Sequence, residues 1–345
     1  MGSTSTTPRL GSRLPFRLAL ATTVTTMLLV LFGASVTTMG AGMAVKGWLM
    51  PEGELTAGAT YFLPLFPLDE WLRDPGTFAE HTHRMFGIVV GLLAIAVVAA
   101  THLLDRRITA KLAAWVGLVA ICIQGVLGGT RVLENSQDLA FLHGAIGQLV
   151  FAVLCCMTLV LSPMFREPPA LSRPLAQSIA GKGSVAFALI YGQVLLGAWF
   201  RHSVRVSTDV PGHDELPFPM AAFIAHAMGA MVILVIALVL AKAFGNAKEA
   251  SEGPRAKRLF GRFELLLQVT FIVQFLLGTG ALATLKMERT AFAPLFTSTL
   301  HLLVGSILLA AAAVAWIWGL RLQHLSSLAD DPSATPPPTS EAASA

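Results

Sequence analysis

Eight apolar runs punctuate the chain: Leu18–Met39, Phe78–Leu104, Leu112–Thr130, Leu139–Ser162, Gly183–Phe200, Met220–Ala243, Phe263–Leu285 and Ala293–Leu320. Each has roughly the ~20 residues a helix needs to cross the hydrocarbon core of a bilayer. Lipid satisfies no backbone polar group, so runs of this length predict helices. The segments between them are polar. Residues 1–17 form a Ser/Thr-rich leader, residues 40–77 a long loop carrying Trp48 and Trp71, and residues 163–182 a linker. The loop is expected to lie on the membrane surface with its tryptophans at headgroup depth. Residues 321–345, rich in Ser, Ala and Pro, are expected to be a disordered tail.

A short repeat organises the runs. Gln124-Gly125-Val126-Leu127-Gly128, Gln193-Val194-Leu195-Leu196-Gly197 and Gln274-Phe275-Leu276-Leu277-Gly278 fall in the third, fifth and seventh. The first offers Leu29-Val30-Leu31-Phe32-Gly33, which matches at Gly but not at Gln. Recurrence at equivalent places points to duplication. The expected fold class is therefore all-α: a polytopic membrane protein of eight transmembrane helices forming two similar four-helix halves, residues 18–162 and 183–320.

Composition agrees, with 54% hydrophobic and 13% charged residues among 345 and a mean hydropathy of +0.69. A soluble domain carries about 25% charge. The basic pI does not imply nucleic acid, because Lys and Arg sit in short segments between apolar runs. If the leader is cytoplasmic, two thirds of the 24 Lys and Arg residues fall on the cytoplasmic side, as the positive-inside tendency requires. Both termini are then cytoplasmic, in a bacterial inner membrane. The three cysteines form neither a disulfide framework nor a metal motif.

The even runs each carry a histidine near their outer end, followed by Gly at helical spacing: His83 with Gly87, His143 with Gly147, His226 with Gly229 and His301 with Gly305. Imidazole inside a membrane is costly unless paired or liganded. Two histidines per half, facing each other across a bundle, suit the axial positions of haem iron, with the glycines admitting a flat macrocycle. Zinc usually asks for more ligands. Arg84, Arg131, Arg201 and Arg205 stand at outer helix ends, where they can pair with propionates. His81 and His202 read as solvated edge residues, while His102, His213 and His324 fall outside the pattern. Glu80 precedes His83 by three residues and shares its helical face. No acid stands at that offset before His226 or His301.

With these features the chain resembles the haem A synthase family over about residues 18–320. Glu80-His81-Thr82-His83-Arg84 is similar to that family's Glu-x-x-His-Arg motif, and Leu142-His143-Gly144 and the Gln-x-x-Leu-Gly stretches resemble its other motifs. The resemblance implies oxidation of a methyl group of the substrate haem O to the formyl group of haem A. It implies that His83 and His143 ligate the substrate iron, that His226 and His301 ligate a haem b cofactor, and that Glu80 is the catalytic carboxylate. It also implies haem O synthase and the terminal oxidase assembly machinery as partners, with the electron acceptor unnamed and a homo-oligomer left open. Many members carry a cysteine pair in the first outer loop, and residues 40–77 contain none. The competing reading is a dihaem cytochrome b that carries electrons between quinol and a partner. It needs no acid beside one iron alone. A proton-coupled transporter would want acids along its path, and a prenyltransferase would want aspartate-rich motifs.

Overall fold

The computed structural model describes residues 12–209 and 218–329, with side chains undescribed at 205–209. Within them eight helices are long and apolar enough to cross a membrane: α1 (Leu14–Met39), α2 (Pro75–Leu104), α3 (Ile108–Glu134), α4 (Gln137–Leu161), α5 (Arg173–Asp209), α6 (Met220–Ala250), α7 (Pro254–Ala283) and α8 (Phe292–Ala329). No strand occurs among the described residues. The chain is thus the all-α, eight-span protein the hydropathy pattern predicts.

Several helices outrun their apolar stretches. α5 starts ten residues before Gly183, inside the expected linker, whose earlier part holds one helical turn at Pro163–Arg166. α8 continues through residues 321–329, which the composition had assigned to the tail. Packing holds these extensions, since Ala176, Ile179 and Ala180 of α5 and Leu322 of α8 are buried. Arg9, His213 and residues 330–345 lie outside the described residues.

Turns are short and their residues explain them. Asp74 caps α2 by accepting from the Thr77 amide, ahead of Pro75 at the first helical position. Ser136 caps α4 in the same way, after Asn135 has closed α3 in the left-handed region. Three-residue connections at 105–107 and 251–253 leave their flanking helices antiparallel.

Packing follows a two-fold pattern. α1 packs on α2 as α5 packs on α6, α3 on α4 as α7 on α8, α2 on α3 as α6 on α7, and α1 on α4 as α5 on α8. The two sets meet through α4 against α8, α1 against α8, and α4 against α5. Each of these contacts maps onto another, or onto itself, when helix n is exchanged with helix n+4. Where α5 and α8 cross, side chains are absent because the backbones touch. A Cβ on Gly319 would lie 2.5 Å from the Ala180 nitrogen, and one on Gly183 would lie 2.7 Å from the Trp316 nitrogen. Beside that crossing, at the end of the bundle where α1 starts and α8 ends, the buried Trp318 stacks with Phe244 and Phe263 and meets Phe260 at a tilt. The opposite end carries all four intramembrane histidines and the folded loop between α1 and α2.

Candidate functional site: two imidazole pairs

The four histidines occupy one environment repeated four times. Each imidazole rests against a glycine on the preceding odd helix: His83 on Gly33, His143 on Gly128, His226 on Gly197 and His301 on Gly278. A Cβ on any of these glycines would lie 2.8 Å from the ring Cε1. Four residues before Gly33 and Gly278, a backbone carbonyl accepts from the ring. His83 Nδ1 lies 2.9 Å from the Leu29 oxygen and His301 Nδ1 3.1 Å from the Gln274 oxygen. A carbonyl accepts only from N–H. His83 and His301 therefore carry their proton on Nδ1 and present the Nε2 lone pair, the arrangement that orients a metal-ligating histidine.

The rings then converge in two pairs. His83 and His143 have ring centroids 6.3 Å apart and His226 and His301 6.2 Å, with interplanar angles of 88° and 77°. Imidazole–metal bonds run about 2.0 Å, and a ring centre lies roughly 1.1 Å behind its nitrogen, so one metal between two Nε2 atoms sets the centres about 6.2 Å apart. The observed spacings fit a single metal with two axial imidazoles. No group of three or more His, Cys, Asp or Glu side chains with metal-site spacing occurs among the described residues. The donor set thus suits a metal whose other ligands arrive with it, as a macrocycle's do.

The glycines on the even helices do different work from that expected. A Cβ on Gly147 would lie 2.9 Å from Gln124 Nε2, and one on Gly305 3.0 Å from Gln274 Nε2, while Gln193 lies directly over Gly229. These three glycines admit a glutamine from the neighbouring helix, not a porphyrin face. Gln124 and Gln193 each donate to the carbonyl of the histidine they face at 2.7 Å, and their amide nitrogens lie 3.0 Å from its Nδ1. Gln274 reaches toward His301 Nε2 at 3.4 Å. Of the four glycines that follow the histidines at helical spacing, Gly87 alone has open space around a Cβ. The Gln-x-x-x-Gly repeat was visible in the sequence, but its meaning was not. Its Gln and Gly are both neighbours of the histidine on the next helix.

Glu80 is buried and fully engaged. Its Oε1 lies 2.7 Å from Arg84 Nη2, and its Oε2 accepts from the Val45 amide at 2.9 Å. Arg84 is drawn into the same cluster, donating to the Val45, Gly47 and Trp48 carbonyls. The Arg84 guanidinium is thus committed to the loop, and a propionate would have to compete with these carbonyls. Gly47 has φ +75°, and a Cβ there would meet the Met50 carbonyl. The other site arginines differ. Arg131 covers Gly42 and lies within electrostatic range of both His83 and His143. Arg201 donates to Thr38 Oγ1 at 3.3 Å and lies within range of His301. The Arg205 side chain is outside the described set.

The loop is a folded cap on the bundle. Trp48 packs over Gly129 of α3. The fully buried Glu70 accepts from the Glu54 and Thr56 amides and so gathers residues 53–56 onto the helical turn Leu68–Trp71. His81, expected at a wet edge, is 1% exposed. It lies between Phe66, stacked at 4.9 Å, and Trp71, edge-on at 4.6 Å. Sequence could not show this burial, because both aromatic rings come from the segment between α1 and α2 and not from a spanning helix. His202 is half-buried against Phe141, while His102 accepts from Trp115 Nε1 at 2.9 Å. Glu264 pairs with Lys248.

Fold and site together define a helical membrane protein with two intramembrane imidazole pairs, one flanked by a buried carboxylate. The chain matches the model of the COX15-CtaA cytochrome oxidase assembly protein family over residues 16–313, and it belongs to that family. It is 25% identical over 269 residues to a heme A synthase of Exiguobacterium sp., covering 76% of this chain and 81% of that one. It is 29% identical over 238 residues to a heme A synthase of Symbiobacterium thermophilum, covering 64% and 72%.

Proposed function

We propose that this chain is a haem A synthase, an oxidoreductase that converts a methyl group of haem O to a formyl group. The observation that carries the reading is the inequality of two otherwise matched imidazole pairs. Only His83 and His143 have a buried carboxylate one turn from a ligand. That pair takes the substrate haem O, and His226 with His301 holds haem b. An electron carrier would have no use for the difference.

Oxidising R–CH3 to R–CHO with water as oxygen donor releases four electrons and four protons, and the electrons must leave to an electron acceptor outside this chain. When bound, haem b supplies one-electron redox capacity near the substrate. The chain's own residues do the rest. His83 and His143 would hold the substrate haem by its iron, and the Nδ1–H bond to the Leu29 carbonyl keeps the His83 ring in the ligating tautomer. Glu80 takes protons from the reacting carbon or its attacking water. Arg84 holds that carboxylate in place between turnovers. The cap of residues 40–74 closes the pocket end against water. Arg131 and Arg201 pair with propionates. The histidine end faces the outside of a bacterial cytoplasmic membrane, with both termini in the cytoplasm, and the product passes to terminal oxidase assembly.

The test is to express the chain in a host that makes haem O but no haem A, then extract the haems and identify them by mass. Haem A is expected. Haem O and haem b alone, with the chain present in the membrane, would overturn the reading in favour of an electron carrier.

A further inference from the structure

A cavity of about 460 Å³ lies at the end of the bundle away from the histidines, lined by residues of both halves. Phe165, from the helical turn Pro163–Arg166, and Ile317 and Leu320 of α8 supply its apolar lining. Arg107, Arg321 and His324 supply its charge and its N–H donors, and no acid lines it among the described residues. Arg107 is anchored by Asp105 and by the Val160 carbonyl. Asp105 also holds Arg166, so the three side chains together keep a net positive charge. Arg321 differs. Its Nε donates to the Phe165 carbonyl at 3.3 Å, and its guanidinium lies 5.5 Å from the centre of the Phe165 ring. The fork is thus held in place, while its Nη groups have no partner among the described residues.

The cavity also sits at a particular depth. Leu320 ends the apolar run of α8, and Arg321 and His324 follow it. Acyl chains give way to headgroups where such a run ends. Beside it α3 begins without a side-chain cap, and Thr109 of its first turn lines the same space. Uncapped amides at a helix start favour an anion. We propose that this cavity binds one anionic phospholipid of the adjoining leaflet. Its phosphate meets Arg321, His324 and Arg107, and an acyl chain lies along Phe165, Ile317 and Leu320. The apolar lining has no use for a free phosphate, and the arginines repel the cation of a zwitterionic headgroup. The bound lipid ties the start of α3 to the end of α8, and so one half of the protein to the other.

The experiment titrates the full chain, purified in detergent, with dioleoyl phosphatidylglycerol or dioleoyl phosphatidylcholine, and counts bound lipids by native mass spectrometry. One phosphatidylglycerol should bind ahead of the rest and ahead of any phosphatidylcholine. Arg321→Gln should weaken that first binding about fivefold, the worth of one arginine at a lipid surface. Lys257→Gln removes an exposed cation outside the cavity and should leave it unchanged. His324→Glu places a like charge against the phosphate from an exposed position. It should abolish the preference for phosphatidylglycerol, and it decides the matter should Arg321→Gln fail to fold. Glycerophosphate, the headgroup without chains, should not compete. Equal binding of the two lipids, equal losses in Arg321→Gln and Lys257→Gln, or an unchanged preference in His324→Glu would overturn the site. Competition by glycerophosphate would overturn the lipid in favour of a soluble phosphate ester.

Discussion

Gly197 of α5 lies against His226 of α6 so closely that a Cβ on the glycine would sit 2.8 Å from the ring Cε1. Real contacts of that length do not persist, so Gly197→Ala must tilt the imidazole. We expect loss of most of the low-spin bis-imidazole absorption. Gly192→Ala, on the same helix but with open space around it, should leave the spectrum unchanged and raise stability by about 0.5–1 kcal/mol. Equal spectra for the two variants would remove the steric argument.

His226 and His301 should act as one site. Alanine at either is expected to abolish the haem b spectrum and halve the haem retained per chain, with the amino-terminal site still able to take haem. Full retention of both haems in both single variants, measured by pyridine haemochrome assay, would contradict the pairing.

Glu80→Gln removes the titratable proton but keeps an acceptor for the Val45 amide. Haem A formation should fall by about 10²–10⁴-fold, the range for a lost acid or base, with haem O accumulating. Arg84→Gln breaks the same ion pair and leaves the carboxylate, so it separates chemistry from anchoring. It should expose residues 40–74 to protease while retaining more activity than Glu80→Gln. Equal losses of activity and equal loop cleavage in the two variants would reduce Glu80 to an anchor for the cap.

At the opposite end, Asp105 joins the α2–α3 connection to the end of α4 through Arg107 at 2.8 Å and Arg166 at 2.9 Å. Burial pushes its carboxyl up, but hydrogen bonds and charge from Arg107, with the charge of Arg166, outweigh that and hold it below its ordinary value. A depressed native pKa stabilises above the unfolded value of about 3.9 and is lost as pH falls through the native one. Asp105→Asn should therefore lower thermal stability in detergent at pH 7 by about 1–3 kcal/mol. The gap from wild type should shrink below about pH 4. A pH-independent gap would assign the loss to packing.

Reporter fusions at Arg106 and Glu252 should report cytoplasm, and one at Gly58 the outer side. Reversed signals would place the histidine end inside and overturn the proposed orientation.

The sequence by itself determined the eight spans and the depth of the four histidines. Hydropathy fixes where a chain can cross lipid, and helical spacing fixes which residues share a face. It also exposed the Gln-x-x-x-Gly repeat and the solitary Glu80. It could not say what those residues touch, because a neighbour on another helix leaves no period in the chain. Gly147, Gly229 and Gly305 share the histidine faces as expected, yet glutamines from α3, α5 and α7 fill them. Arg84 stands where a propionate would be met, yet the carbonyls of residues 45–48 claim its donors. His81 sits at a helix start that reads as wet, yet Phe66 and Trp71 fold over it. Tertiary structure decided each of these, because buried polar groups take the partners that packing brings within hydrogen-bond reach.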